Sequence, residues 1–317
     1  MTARPEYEQL GTERANRASR ALDRMTPLDI ARLMNREDTR AVRAIARALP
    51  TVARAVDAIV QALSRRGRLF IVGAGTSGRL AVLEAAECPP TFGTSPSLVQ
   101  AIMAGGRRSV FRSREGAEDD AAAAARAVRE RVRRGDAVVG VSASGVTPFV
   151  QAALVTARRR GAMTVLVACN PARQILRGRL GRGDPRTGGQ PATLVIALRP
   201  GPEVLAGSTR LKAGTVTKLV LNMLTTASMV RLGRVYGNRM VDLQPRSRKL
   251  RERALRLVQE IARVSRPAAR RALAAARGRV RLAVVMASTG LGAREASRAL
   301  EAADGSLRRV LEGSARR

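Results

Sequence analysis

Five short apolar runs, each separated from the next by a segment long enough for a helix, constrain most strongly how this chain can fold. Largely apolar runs of this length are typical of parallel strands covered on both faces. They lie at residues 69–73, 98–103, 137–141, 164–168 and 192–198. The pattern predicts an α/β fold, with a doubly wound, mainly parallel five-stranded sheet flanked by helices and joined by right-handed crossovers.

Both ends of the chain are predicted to be helical. Near the start, Thr26 is placed to cap a helix with Pro27 in its first turn, and Asp38 and Pro50 are each predicted to open a further amphipathic segment. After the sheet, the pattern becomes helical again. We therefore predict an N-terminal helical segment packed on the core, an α/β domain and a C-terminal helical subdomain. Their bounds are 1–65, 66–245 and 246–317.

Helices are also predicted between the strands. The first follows Gly78 and stops before Pro89, because proline lacks the N–H that continues a helix. The second is an Ala-rich run that starts at Glu118, and the third starts at about Pro148. The Gly- and Arg-rich segment 177–189 is predicted to be an exposed loop.

The formal net charge of +33 raises the question of nucleic-acid binding, because Arg and Lys neutralise phosphates. Only three of the basic residues are lysines, and the arginines are spread over every predicted helix instead of forming one stripe. With four Phe, two Tyr and no Trp, the chain also offers little for base stacking. The composition therefore indicates a general enrichment in Arg and no nucleic-acid partner.

The apolar stretches and the cysteines indicate where in the cell the protein works. The longest apolar stretches are shorter than the roughly 18 residues that a membrane span needs, and the N-terminus is charged. We therefore expect no membrane contact and a cytoplasmic location. Cys88 and Cys169 are far apart and lack CxxC spacing, so we expect neither a disulfide framework nor a zinc site.

The sequence contains no histidine, which removes the commonest general base and metal ligand. Ser-His-Asp hydrolysis and HExxH zinc chemistry are thereby excluded. Proton transfer near neutral pH must fall to Glu, Asp, Lys, Tyr or Cys.

Two hydroxyl-rich turns follow predicted strands and open predicted helices. Residues 73–78 read GAGTSG, the spacing of a dinucleotide-binding turn, but the acidic residue that such a site needs about 20 residues later is missing. Residues 142–147 read SASGVT. Backbone N–H groups and the helix dipole favour an anion at such turns, so together they predict a site for a phosphate monoester. The alternative is that the hydroxyls only cap helices. These hydroxyls belong to Thr76, Ser77, Ser142, Ser144 and Thr147.

Longer strings extend this pattern along the chain. They are GAGTSGRL at 73–80, ECPPTFG at 87–93, EGAEDD at 115–120, GPEVLAGSTRLKAGT at 201–215, KLVLNMLTT at 218–226 and YGNRMVD at 236–242. The two turns resemble the sugar isomerase (SIS) domain, which binds phosphosugars. The longer strings resemble the N-acetylmuramic acid 6-phosphate etherase family, from about residue 12 to about residue 242.

The resemblance implies one SIS domain with helices at both ends, working as a homodimer on a sugar-phosphate substrate. It implies conversion of N-acetylmuramic acid 6-phosphate and water to N-acetylglucosamine 6-phosphate and D-lactate, in cell-wall recycling and without a cofactor. The family's two catalytic glutamates fall on Glu87 and Glu118, and its phosphate contacts fall on the hydroxyls of the two turns. Two residues depart from the family pattern, Ala86 in place of Ser and Val146 in place of Arg. The second puts substrate affinity or specificity in doubt, unless neighbouring arginines compensate.

The predicted helix positions suggest a role for each glutamate. Glu118 is predicted in the first turn of the Ala-rich helix, where the helix dipole favours the ionised form. Glu87 is predicted at the end of the preceding helix, where that form is disfavoured. We therefore predict that Glu118 is the general base and Glu87 the general acid. Glu84, three residues before Glu87, is a competing carboxylate on the same helix face.

Three residues of the 201–215 string are predicted to bind substrate as well. Lys212 is one of the three lysines, and a compact ammonium differs from a guanidinium, so it is a candidate for the sugar pocket, with an ordinary surface lysine as the alternative. Glu203 and Ser208 are candidates for the same pocket.

Two other functions stay open at the level of the sequence. The SIS scaffold also serves regulators that sense sugar phosphates without catalysis, including glucokinase regulatory proteins, which share the 201–215 string. A DNA-binding regulator with an SIS sensor would need a helix-turn-helix, and the first 65 residues show no convincing one. The presence of both Glu87 and Glu118 favours the enzyme.

Overall fold

The computed structural model describes residues 10–172, 192–243 and 247–314. Within these ranges, five strands form one parallel sheet of order β2-β1-β3-β4-β5. The strands are β1 (Leu69–Gly73), β2 (Val99–Met103), β3 (Ala137–Val141), β4 (Met163–Ala168) and β5 (Leu194–Ala197). The sheet confirms the predicted fold class, and no strand end differs from the predicted run by more than two residues.

Within the described ranges, helices precede β1, separate most of the later strands and follow β5. Among the described residues, none of these helices is both long and apolar enough to cross a membrane. The helices are α1 (Pro27–Ala44), α2 (Leu49–Ser64), α3 (Gly75–Phe92), α4 (Arg108–Phe111), α5 (Ala121–Arg131), α6 (Pro148–Arg159), α7 (Lys212–Arg231), α8 (Arg248–Ala262), α9 (Arg266–Ala275), α10 (Val280–Thr289), α11 (Ala293–Ala302) and α12 (Leu307–Ser314).

The interior strand β1 shows why the strand runs are so apolar. Successive side chains of a strand point to opposite faces of the sheet. Phe70 and Val72 pack into a core cluster with residues of α5 and α6, whereas Leu69 and Ile71, on the other face, are each 1% exposed. Burial on both faces favours an apolar residue at every position of this strand, which explains the pattern in the sequence.

Helix starts and stops were predicted with mixed success. Thr26 caps α1 through its side chain, which accepts from the Asp29 N–H, as predicted. The predicted helix start at Asp38 is wrong, because α1 runs through it with Leu33, Glu37 and Ala41 buried at four-residue spacing on one face.

The predicted stop before Pro89 is also wrong. Helix α3 includes both Pro89 and Pro90 and ends at Phe92. Proline so close to the end of a helix costs few backbone hydrogen bonds, and the last turn is closed by the Gly93 N–H, which donates to the Pro89 carbonyl at 2.9 Å. Gly93, with a φ of 61°, adopts the left-handed conformation that ends many helices.

The chain forms two compact units. The first comprises Met1–Ala85 and Ser97–Thr225 and contains the sheet, and the second comprises Ala86–Pro96 and Thr226–Arg317 and contains α8 to α12. The predicted division at residues 65 and 245 stays a prediction. The predicted loop 177–189 and the boundary at residue 245 lie outside the described residues.

A buried lysine ties the start of α7 to α1 within the first unit. Lys212 is 2% exposed and donates from Nζ to Glu37 Oε2 at 2.9 Å and to the Pro202 carbonyl at 2.8 Å. Asn16 and Arg40 donate to the same carboxylate at 2.8 and 2.6 Å. Burial opposes ionisation of Glu37, but hydrogen bonds from Lys212 and Asn16 outweigh it and lower the pKa to about 2. The pair is structural, because loss of either partner leaves a buried charge.

We expect Lys212→Met to lower the free energy of unfolding by about 3 kcal/mol at neutral pH, because Glu37 stays buried with fewer donors. The pKa of Glu37 in the folded protein lies below its ordinary value of 4.5. The contribution of the pair is therefore present above about pH 4.5 and is lost as the pH falls toward 2. Urea unfolding at several pH values should show the difference from wild type shrinking as the pH falls through this window.

The matched control is Lys249→Met, which makes the same substitution at an exposed lysine. It should change the free energy of unfolding by less than about 0.5 kcal/mol. If the loss caused by Lys212→Met stays constant across the pH window, the account of the buried pair is wrong.

Candidate active site

A cavity of about 310 Å³ lies in the first unit where β1 and β3 end. The carboxyl ends of parallel strands are where α/β proteins bind ligands. The lining residues come from three segments, 74–80, 141–148 and 207–217, together with Glu13, Glu118 and Asp119. The two hydroxyl-rich turns identified in the sequence therefore share one cavity.

The first turn needs its glycines because backbone segments approach closely there. A Cβ added at Gly73 would lie 2.7 Å from the Gly78 nitrogen, and one added at Gly78 would lie 2.7 Å from the Gly73 oxygen. Gly75, with a φ of 53°, adopts the left-handed conformation that disfavours a side chain. The tight turn starts α3 at Gly75, so Thr76 and Ser77 lie in its first turn and line the cavity. The first N–H groups of a helix have no partner within it and favour an anion.

The second turn is held by its own hydroxyls. Ser142 Oγ lies 2.7 Å from Thr147 Oγ1 and 3.2 Å from Ser144 Oγ, and it accepts from the Gly145 N–H at 3.0 Å. Ser144 and Thr147 line the cavity, whereas Ser142 is 2% exposed and does not. Ser142 was predicted to contact substrate. In the structure its hydroxyl instead bonds to other residues of the turn and stabilises it.

The electrostatic character of the cavity is unusual for so basic a chain. Among the described residues that line it, Glu13, Glu118 and Asp119 carry charge and none is basic. Val146, which stands where the family pattern has Arg, is 4% exposed and lines the cavity with an apolar side chain. An anion bound here must therefore be held by hydroxyls and by the N–H groups that start α3 and α6.

Glu118 lines the cavity, but it is not in the first turn of α5 as predicted. Asp120 is the N-cap, because its Oδ1 accepts from the Ala123 N–H at 2.8 Å, and α5 starts at Ala121. The Glu118 carbonyl instead accepts from the Phe149 N–H at 2.9 Å, at the start of α6. The helix dipole of α5 therefore no longer supports Glu118 as the base. Glu118 still lies beside the two turns.

Glu87 belongs to the second unit, in the segment Ala86–Pro96, and its side chain is exposed on α3. The helix continues to Phe92, so Glu87 lies five residues before its end. The competing carboxylate, Glu84, is buried in the first unit and accepts from Lys218 Nζ at 2.6 Å and from the Thr225 hydroxyl. Glu84 therefore has a structural partner of its own.

The predicted contacts in the 201–215 string do not line the cavity. Glu203 is 1% exposed and accepts from the N–H groups of Lys212 and Ala213, each at 2.9 Å, so it caps α7. Lys212 is paired with Glu37, as described above. Ser208 lies between two lining residues, Gly207 and Thr209.

The sequence analysis did not identify two other residues that line the cavity, Glu13 and Thr217. Glu13 comes from the N-terminal segment, and Thr217 lies one turn into α7, where it is 4% exposed. Near Thr217 lies Cys169, whose thiol has its pKa raised to about 12 by burial, so it stays a neutral thiol. No motif marks Glu13 or Thr217, since both reach the cavity only through packing.

The sequence of this chain is similar to known proteins along almost all of its length. Residues 51–158 match the model of the glucokinase regulatory protein N-terminal SIS domain. N-acetylmuramic acid 6-phosphate etherase from Rippkaea orientalis is 48% identical over 311 residues, which cover 97% of both chains. The etherase from Geobacillus thermodenitrificans is 46% identical over 96% of this chain and 99% of that one.

Among solved structures, a phosphoheptose isomerase from Francisella tularensis is similar at 19% identity with a TM-score of 0.49, covering 65% of this chain and 100% of that chain. The family assignment rests on the sequence relatives, which match almost from end to end. This chain belongs to the N-acetylmuramic acid 6-phosphate etherase family.

Proposed function

We propose that this chain cleaves the D-lactyl ether of N-acetylmuramic acid 6-phosphate. Water is consumed, and the products are N-acetylglucosamine 6-phosphate and D-lactate. The observation that carries the proposal is 48% identity to an etherase over 97% of both chains. A non-catalytic sensor of sugar phosphates is the alternative, and a lactate-release assay on the purified chain decides between the two.

The phosphate of the substrate is proposed to bind between the two turns. Thr76 and Ser77 at the start of α3, and Ser144 and Thr147 before α6, surround one cavity with four hydroxyls. A dianion placed there gains hydrogen bonds from hydroxyls and from helix N-terminal N–H groups, which are worth more to a charged acceptor than to a neutral one. The phosphate then anchors the sugar, while the chemistry takes place at C2 and C3.

The reaction is proposed to proceed by elimination and readdition. In the open sugar, the aldehyde at C1 acidifies the C2 proton, and its removal gives an enolate-like centre that expels the lactyl oxygen from C3. The departing oxygen takes a proton and leaves as lactate. Water then adds at C3 and a proton returns to C2, so that atoms and charges balance. The two proton transfers need one base and one acid, and carboxyl groups can serve as both.

Glu118 is proposed as the base that removes the C2 proton, and Glu87 as the acid that protonates the leaving oxygen. The position of Glu118 in the cavity wall, beside both turns, supports the first assignment. The match of Glu87 to the family string at 87–93 supports the second. No cofactor is needed for this route.

We also propose that the enzyme acts in the cytoplasm as a homodimer, as the family resemblance implies. Sedimentation of the purified chain tests the dimer, and a monomer at assay concentration would contradict it.

Glu118→Gln is expected to lower the rate of lactate release by about 10²–10⁴-fold, because it removes the base. It should also stop exchange of the C2 proton of N-acetylglucosamine 6-phosphate with D₂O, which proton NMR measures. Glu87→Gln should block lactate release but leave that exchange in place, since the product has no lactyl group to protonate.

Glu130→Gln is the matched control, because Glu130 is an exposed glutamate on α5 away from the cavity lining. It should behave as wild type in both assays. The base assignment is wrong if Glu118→Gln still exchanges the C2 proton.

Ser77→Ala is expected to raise the KM for N-acetylmuramic acid 6-phosphate about tenfold, because it removes one hydrogen bond to a charged group. The kcat should change little, since the phosphate does not react. Steady-state kinetics measure both constants. Unphosphorylated N-acetylmuramic acid will be turned over slowly, and Ser77→Ala should not change its KM. An equal rise in KM for both substrates would place the phosphate elsewhere.

A further inference from the structure

A second, smaller cavity adjoins the first and differs from it in charge. Its volume is about 190 Å³, and it shares Ala74, Gly75 and Glu118 with the lining of the first cavity. Two of its lining residues are basic, Arg79 and Arg114, whereas the first cavity has no basic lining residue among those described. Glu118 thus lies in the shared wall between a cavity with hydroxyl groups and no basic lining residue among those described and a cavity with two guanidinium groups.

Arg79 is held in the wall by α4 and by a residue just after that helix. Its Nε donates to the Val110 carbonyl at 2.8 Å, and one terminal nitrogen lies 3.2 Å from Ser113 Oγ. A guanidinium has five N–H donors, so three are left after these two contacts. Arg114 is exposed and, among the described residues, forms no ion pair. The two side chains together form a donor set suited to a carboxylate.

Ser109 supplies a third polar group to this cavity. It is 4% exposed, and its hydroxyl has no hydrogen-bond partner among the described residues. A buried hydroxyl without a partner costs free energy, so its persistence in a cavity wall points to a ligand that satisfies it. Gly105 leaves the space for it, since a Cβ there would lie 2.1 Å from Ser109 Oγ.

The substrate carries two anionic groups, the phosphate on C6 and the carboxylate of the lactyl group on C3. The lactyl group is attached to C3, next to the carbon that Glu118 is proposed to deprotonate, so we expect the carboxylate close to Glu118 and away from the phosphate on C6. The second cavity is also lined by Glu118, and it is the one with guanidinium groups. Glu115 also lines it, so a carboxylate there needs both arginines to outweigh the acidic neighbours.

We propose that the second cavity binds the lactyl carboxylate, with Arg79, Arg114 and Ser109 as its ligands. This inference rests on the proposed function and adds a specificity subsite to it. The subsite distinguishes N-acetylmuramic acid 6-phosphate from sugar phosphates that lack a lactyl group. It also holds the leaving group while the C3–O bond breaks, without taking part in the proton transfers.

The test compares two substrates, N-acetylmuramic acid 6-phosphate and 3-O-ethyl-N-acetylglucosamine 6-phosphate, in which hydrogen replaces the lactyl carboxylate. Arg114→Met should raise the KM for the first about tenfold or more, as expected for loss of a charge-assisted hydrogen bond, and leave the second unchanged. Ser109→Ala should act in the same direction with a smaller effect. Arg112→Met is the matched control, because Arg112 is an exposed arginine two residues away that lines neither cavity.

Binding of N-acetylglucosamine 6-phosphate separates this subsite from the phosphate site. Exchange of its C2 proton should be unchanged in Arg114→Met, because the product has no lactyl group. The subsite is refuted if Arg114→Met weakens both substrates equally, if it slows the exchange, or if Arg112→Met has the same effect. A wild-type protein that releases no lactate refutes the proposed function itself, and this is seen before any variant is made.

Discussion

The parallel pairing of β1 with β3 is the constraint on which the site depends. Leu69 pairs with Ala137 and Gly73 with Val141, so the two strands end side by side. Each strand is followed at once by a turn and a helix, and the turns therefore meet at one edge of the sheet. The two turns are about 70 residues apart in the sequence, and this pairing alone brings them together. A shift in register would separate the hydroxyls of Thr76 and Ser77 from those of Ser144 and Thr147.

The sheet could be predicted because burial of a strand leaves a pattern within the few residues of that strand. A strand buried on both faces is apolar at almost every position, and the runs that form β1 and β3 show this without reference to the rest of the chain. The turns were predictable for a similar reason, since Gly73, Gly75 and Gly78 are required by close backbone contacts and a left-handed φ. Local constraints of this kind can be recognised in a sequence.

What failed were predictions that depend on a choice between similar residues or on a distant partner. Glu118, Asp119 and Asp120 are all acidic, and the sequence does not say which one caps α5, although only Asp120 does. Lys212 was a candidate for the sugar pocket because of its rarity, yet its partner is Glu37, 175 residues earlier in the chain. The side chain of a lysine reaches several ångströms in any direction, so only the fold decides which carboxylate it meets.

The two anionic groups of the proposed substrate have different fates, and the two cavities differ accordingly. The phosphate stays on the sugar throughout the reaction, and the first cavity offers it hydroxyls and helix N-termini fixed by the turns themselves, such as the Ser142 network. The lactyl carboxylate must depart with its oxygen. Arg114 is exposed, so it would hold such a group less tightly than a buried cation, because water competes for the donors of an exposed side chain. If the two cavities bind these groups as proposed, a weaker site for the group that leaves, next to a firmer site for the group that stays, would allow lactate to be released before the sugar.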